Sequence, residues 1–161
     1  MPESALAWMA HALSLIGVRE IPGPRHNASI LDWLRRLKAW WHDDETPWCG
    51  TFVAHVLKSA GLPLPRHWYR AKAWLDWGVP CAPAYGALCI LERQGGGHVF
   101  FVTRASPGFL WGIGGNQGDR VCEAKFARER VLGCRWPAGV ALPPPLALAA
   151  DGADRPSERE A

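Results

Sequence analysis

Nothing in this 161-residue chain approaches the roughly 20 consecutive apolar residues of a membrane-spanning helix. Its opening, with Glu3 close to the first residue, lacks the charged, apolar, then small-residue order of a secretory signal. The five cysteines form no Cys-x-x-Cys, and no paired histidines stand at zinc spacing, so neither a structural zinc nor a full disulfide framework is expected of this odd count. No basic run is long enough for a nucleic-acid arm. The nearest, Arg35-Arg36-Leu37-Lys38 and the stretch from Arg66 to Lys72, read as solvated helix faces. Internal repeats are missing, and low complexity is confined to the C-terminal end.

What the chain does have is apolar content of 48%, enough for one domain with a real core. Residues 138–161 change character, with a three-proline run followed by alternating charges among small residues, and are expected to form a flexible tail outside a domain of residues 1–137. The tail is rich in acids (Asp151, Asp154, Glu158, Glu160), so the net charge of +3 understates how basic the domain is. A basic domain favours approach to an anionic polymer or surface, and is equally compatible with plain solubility.

The pattern runs from helices to strands. Residues 3–16 carry apolar positions at helical spacing. Ser29 is a candidate cap for a second helix to about Trp41, with Ile30, Trp33, Leu34 and Leu37 on one stripe. Thr46 and Pro47 suit the start of a third helix, which places Cys49 in its first turn. A short fourth helix is expected over 68–77. From Gly86 onward, short β-type runs follow at 87–92, 98–104, 109–114, 120–126 and 130–136. Helices first and strands second predict an α+β fold, with N-terminal helices packed on a C-terminal antiparallel sheet of about five strands. Most of the ten tryptophans, such as Trp8, Trp33 and Trp74, read as core.

Three residues stand where chemistry is possible. A thiol in the first turn of a helix feels unpaired N–H groups that lower its pKa, as a nucleophile requires, although Cys49 also fits a buried cysteine packed beside Trp48. His98 opens a strand after Gly95-Gly96-Gly97, within reach of a helix packed on the sheet, and equally fits a histidine satisfied in the core. Asn116, in Gly114-Gly115-Asn116-Gln117-Gly118, is placed either to hold the imidazole or simply to make a turn. The combination in this chain order is more specific than any member of it.

The stretch Asp43-Asp44-Glu45-Thr46-Pro47-Trp48-Cys49-Gly50-Thr51-Phe52-Val53, with Gly97-His98-Val99 and Gly114-Gly115-Asn116-Gln117, resembles the CHAP-like and NlpC-like cell-wall hydrolases, above all a phage-type branch. The similarity extends from the first helix to Leu132-Gly133-Cys134-Arg135-Trp136-Pro137. Two departures are Gly86-Ala87, where these families commonly have Gly-Asp, and Cys134, where an aromatic is expected.

The resemblance implies a papain-like fold and a peptidoglycan endopeptidase or amidase, with Cys49 as nucleophile, His98 as base and Asn116 orienting the ring. Trp48, Glu45, Gly97, Trp111 and Gln117 are candidates for substrate contact. No cofactor is expected, and the acidic run lacks the spaced oxygens of a calcium loop. The expected partner is bacterial peptidoglycan, met by a monomer without nucleic acid or stable membrane insertion. Synthesis is expected in the cytoplasm and action at the periplasmic wall, after release through a holin as for a phage, prophage or gene-transfer-particle endolysin. A toxin amidase, a cysteine acyltransferase or deamidase, and a non-catalytic wall-binding or particle-assembly module are the alternatives.

Overall fold

A computed structural model of the protein describes residues 3–23, 25–44, 46–158 and 160. Glu45, one of the residues expected to contact substrate, lies outside the described residues. Three α-helices come first: α1 (Glu3–Ser14), α2 (Ala28–Arg36) and α3 (Cys49–Ser59). The cap of α2 is Asn27 rather than Ser29: its side-chain oxygen accepts from the N–H groups of Ser29 and Ile30. The helix also stops well short of Trp41, since Lys38 adopts a left-handed φ of 60°. Helix α3 starts at Cys49 itself, and no side chain caps it, so neither Thr46 nor Pro47 takes the helix-start role their chemistry suggests. The fourth helix is a 3-10 segment, Ala71–Asp76.

Six strands follow: β1 (Val79–Pro80), β2 (Leu88–Arg93), β3 (Gly96–Ala105), β4 (Phe109–Gly114), β5 (Cys122–Ala127) and β6 (Val131–Trp136). They form one antiparallel sheet in the order β1-β6-β2-β3-β4-β5. The α+β class and the antiparallel sheet are thus as expected, with β1 added at the edge as a two-residue strand.

The alternation of strand side chains splits the core in two. Leu88, Ile90, Val99, Phe101 and Ile113 face the helices and pack with Phe52, Val53, Val56 and Trp74. Cys89, Leu91, Phe100, Val102, Phe126 and Cys134 face the other way. The segment after residue 137, expected to be a flexible tail, runs along that second face. Leu146 packs on the cluster, Ala149 N–H donates to the Ala105 carbonyl at 2.8 Å, and Ser157 N–H donates to the Lys125 carbonyl. Its end pairs Glu160 with Gln117 in an isolated antiparallel bridge, and the Glu160 carboxylate meets Arg130.

Two buried polar contacts tie the helical layer together. Asp44 is fully buried and accepts from the N–H groups of Ile21 (2.8 Å) and Asn27 (2.7 Å) and from His26. Burial alone would raise its pKa, but these donors outweigh it and hold the carboxyl below its ordinary value. Between α1 and α3, Nε2 of His11 lies 3.0 Å from Nε2 of His55, whose ring stacks on Trp33. Burial, with the nearby His11 and Arg36, pushes His55 from 6.5 down to about 4. The folded protein therefore refuses a proton that the unfolded chain accepts. This contribution to stability is complete above pH 6.5 and is lost as the pH falls toward 4. Urea unfolding followed from pH 7 to pH 4 should show that decline, and a His55→Phe variant should lack its steepest part.

Candidate active site

Strand β3 and the start of α3 meet where the sheet opens. The pairing of β3 with β4 begins only at Phe101 opposite Ile113, so the earlier β3 residues have no β4 partner. Into that opening comes the first turn of α3. Gly50 permits it, since a Cβ there would lie 2.4 Å from the Trp68 carbonyl oxygen. Gly115 does the same from the other side: its Cβ would lie 2.5 Å from Cβ of Phe52 and 2.8 Å from the Trp48 ring. The turn after β4 therefore presses directly on the helix that carries Cys49.

The Cys49 thiol reaches β3 at the backbone N–H of Val99, the residue after His98. His98 follows the alternation of Phe100 and is fully buried, with its ring against Phe100 and Phe126. Thiol and imidazole thus meet β3 at adjacent residues, 98 and 99, on the stretch that β4 leaves unpaired. The His98 Nε2 bonds at 2.9 Å to Oε1 of Gln117. Gln117 is itself buried, and its amide nitrogen donates to the carbonyls of Cys122 (2.6 Å) and Gly112 (3.4 Å).

Those two carbonyls can only accept, so they orient the carboxamide with its oxygen toward His98. An acceptor at that position requires the ring proton to sit on Nε2, which leaves the lone pair of neutral His98 on Nδ1. The partner expected for the ring was Asn116, and this assignment is corrected. Asn116 occupies a left-handed turn position (φ 60°), and its buried Oδ1 has no hydrogen-bond partner among the described residues. The longer Gln117 side chain folds back under Gly114, where a Cβ would lie 2.3 Å from Oε1. Gly114, which leaves room for that side chain, is visible in the sequence, but the fold-back and the two carbonyls that grip the amide are seen only in the structure.

A second correction concerns the thiol. Burial pushes Cys49 up from 9.0 to about 11, although N–H groups of Val99 and Gly50, the Arg93 guanidinium and the N–H of Cys49 itself pull it down. The helix start acts as expected, but burial of a residue only 3% exposed outweighs it.

Cys49 opens onto a groove of about 310 Å³ lined by Pro47, Tyr69, Arg70, Lys72, Arg93 and the glycines 95–97. Of the expected substrate contacts, Gly97 lies on this groove and Gln117 serves the histidine instead. Trp48 and Trp111 are not on the groove, contrary to expectation. Trp48 is buried and donates from Nε1 to Glu20 at 2.8 Å. Trp111 is covered by Arg104, with the guanidinium 3.9 Å from the ring centre. Among the described residues no cluster of three or more His, Cys, Asp or Glu side chains is placed to hold a metal ion.

No protein-family profile matches the sequence, and no curated protein matches it significantly. The raised thiol pKa has a direct consequence. Alkylation of Cys49 by iodoacetamide, followed by peptide mass spectrometry, should accelerate with pH up to a midpoint of about 11. A plateau already reached at pH 7 would show instead a thiolate held at rest.

Proposed function

We propose that the protein is a cysteine hydrolase of peptidoglycan amide bonds, built on a papain-like version of its α+β fold. The observation that carries the reading is the carboxamide lock on His98. Gln117 holds Nε2–H and leaves Nδ1 as the basic nitrogen, on the strand that the Cys49 thiol touches. A buried imidazole needs a partner for its N–H in any case; what favours catalysis is that the nitrogen left basic belongs to the residue next to the thiol's contact on β3.

With the thiol protonated at rest, attack and proton removal occur together. The Cys49 proton passes to Nδ1 of His98 as sulfur bonds to the substrate carbonyl carbon. The resulting oxyanion faces the N–H groups at the start of α3, those of Cys49 and Gly50. Collapse breaks the C–N bond, and the leaving nitrogen takes the proton from His98, leaving a thioester. His98 then removes a proton from water, the hydroxide oxygen adds to the thioester carbon, and the acid departs as the thiol recovers its proton. Gln117 keeps the ring aligned throughout and accepts from Nε2–H, which steadies the imidazolium.

The substrate is read from the resemblance of residues 43–53, 97–99, 114–117 and 132–137 to cell-wall hydrolases. The same resemblance supports an endolysin of a phage, prophage or gene-transfer particle that reaches the wall after release. The roles divide the variants cleanly. Purified sacculi treated with wild-type protein should release soluble fragments whose new termini identify the bond. Cys49→Ala should release none, and His98→Ala should lose about a thousandfold. Gln117→Ala should lose about ten- to a hundredfold in kcat, with Asn116→Ala affected less. Folded wild-type protein that releases nothing from any sacculus would sink the reading, and sacculus binding unchanged by Cys49→Ala would then point to a binding module.

A further inference from the structure

The groove beside Cys49 is lined by three cations, Arg70, Lys72 and Arg93, and by no carboxylate among the described residues. Lys72 is already neutralised by Glu92, at 2.8 Å. Arg70 and Arg93 form no ion pair with any described residue. Arg93 is held in place by the protein itself. Its Nε donates to the Gly97 carbonyl at 3.1 Å and its Nη1 to the Gln94 carbonyl at 3.2 Å, which keeps the guanidinium on the β2–β3 turn at the groove's edge. Arg70 lines the same groove, exposed beside the Tyr69 ring. A half-buried guanidinium with two of its donors used and none given to an acid is placed to receive one from outside. It also lies close enough to Cys49 to draw the thiol pKa down against burial.

We infer that this groove selects its substrate by charge: Arg93, with Arg70 on the same groove, receives a free carboxylate of the peptide whose bond Cys49 attacks. This rests on the proposed hydrolase reading for its catalytic meaning, since Arg93 and Arg70 are specificity-determining residues of that same site. The preferred substrate is an acidic peptide, and the same peptide with that carboxylate amidated is disfavoured. Discrimination of this kind has an electrostatic part, which falls with ionic strength, and a bidentate hydrogen-bonding part, which does not.

The test uses two small probes whose reaction needs only the thiol. Iodoacetate and iodoacetamide transfer the same carbon to sulfur with loss of iodide and differ in carrying a carboxylate or its amide. Rates at Cys49 are measured at pH 9 on the full chain by peptide mass spectrometry, and each acid-to-amide ratio is compared with that of Cys49 in the urea-unfolded chain. The folded wild-type ratio should exceed the unfolded one by about tenfold and shrink as salt is added. Arg93→Gln and Arg70→Gln should each lower it, the double variant should bring it near the unfolded value, and Arg93→Lys should restore part of it. Since Arg93 also braces the β2–β3 turn, the exposed Arg70→Gln variant keeps the test valid if Arg93→Gln fails to fold. A folded ratio equal to the unfolded one, a ratio indifferent to both arginines, or a Cys49 that neither probe reaches would overturn the inference. Cleavage of sacculi is scored separately. Charge selection at Cys49 without any cleavage would remove the hydrolase and leave the anion groove, whereas cleavage without charge selection would do the reverse.

Discussion

The site depends on one carboxamide. Gln117 is fixed by two backbone carbonyls, of Gly112 and Cys122, which lie in neighbouring strands β4 and β5. Its oxygen is thereby committed to His98. The orientation is thus set by the sheet and not by the histidine, and a ring that rotated away would leave a buried acceptor unmatched, at a cost of about 1–3 kcal/mol. Small residues make the arrangement possible. A Cβ at Gly112 would lie 1.9 Å from the Phe100 ring, and one at Gly114 would strike the Gln117 amide. In this run of the chain, glycine is required by space and not by turn geometry.

The same dependence explains what the sequence could and could not reveal. Helix and strand order, the placing of Cys49 at a helix start and of His98 on a strand all follow from local pattern, because apolar periodicity and glycine punctuation are local signals. The choice between Asn116 and Gln117 is not local. Both are amides in one turn, and only the backbone conformation at 116 and the space beneath Gly114 decide which reaches the histidine. The tryptophans failed for a similar reason. Trp48 neighbours Cys49 in the chain, yet its indole points into the helical layer to meet Trp33 and Glu20. The end of α2 was lost to a left-handed residue, Lys38, that no propensity announces.

The C-terminal segment is instructive because its composition gives no hint of the face it lies along. Proline and small charged residues cannot build a core, but they can lie along one that already exists. The second face of the sheet offers apolar side chains to Leu146 and backbone groups to Ala149 and Ser157. Without that segment, Phe126 and Phe100, the stacked pair of rings that His98 packs against, would have one layer less between them and water. The length of chain beyond residue 137 therefore belongs to the environment of the histidine, although it contributes nothing to the chemistry.

Burial is the thread that joins these features, and it acts on Cys49 and His98 in different ways. Enclosure keeps the Cys49 thiol protonated, which protects it from adventitious oxidation and alkylation, since the thiolate is the reactive species. For His98 the enclosure supplies a dry setting in which a hydrogen bond to an amide is strong enough to hold one tautomer. On the proposed reading, a site arranged in this way stays unreactive until a carbonyl is brought to the sulfur through the groove. Arg70 and Arg93, which form no ion pair among the described residues, line that groove, and on that reading they would meet a substrate while the thiol is still protonated.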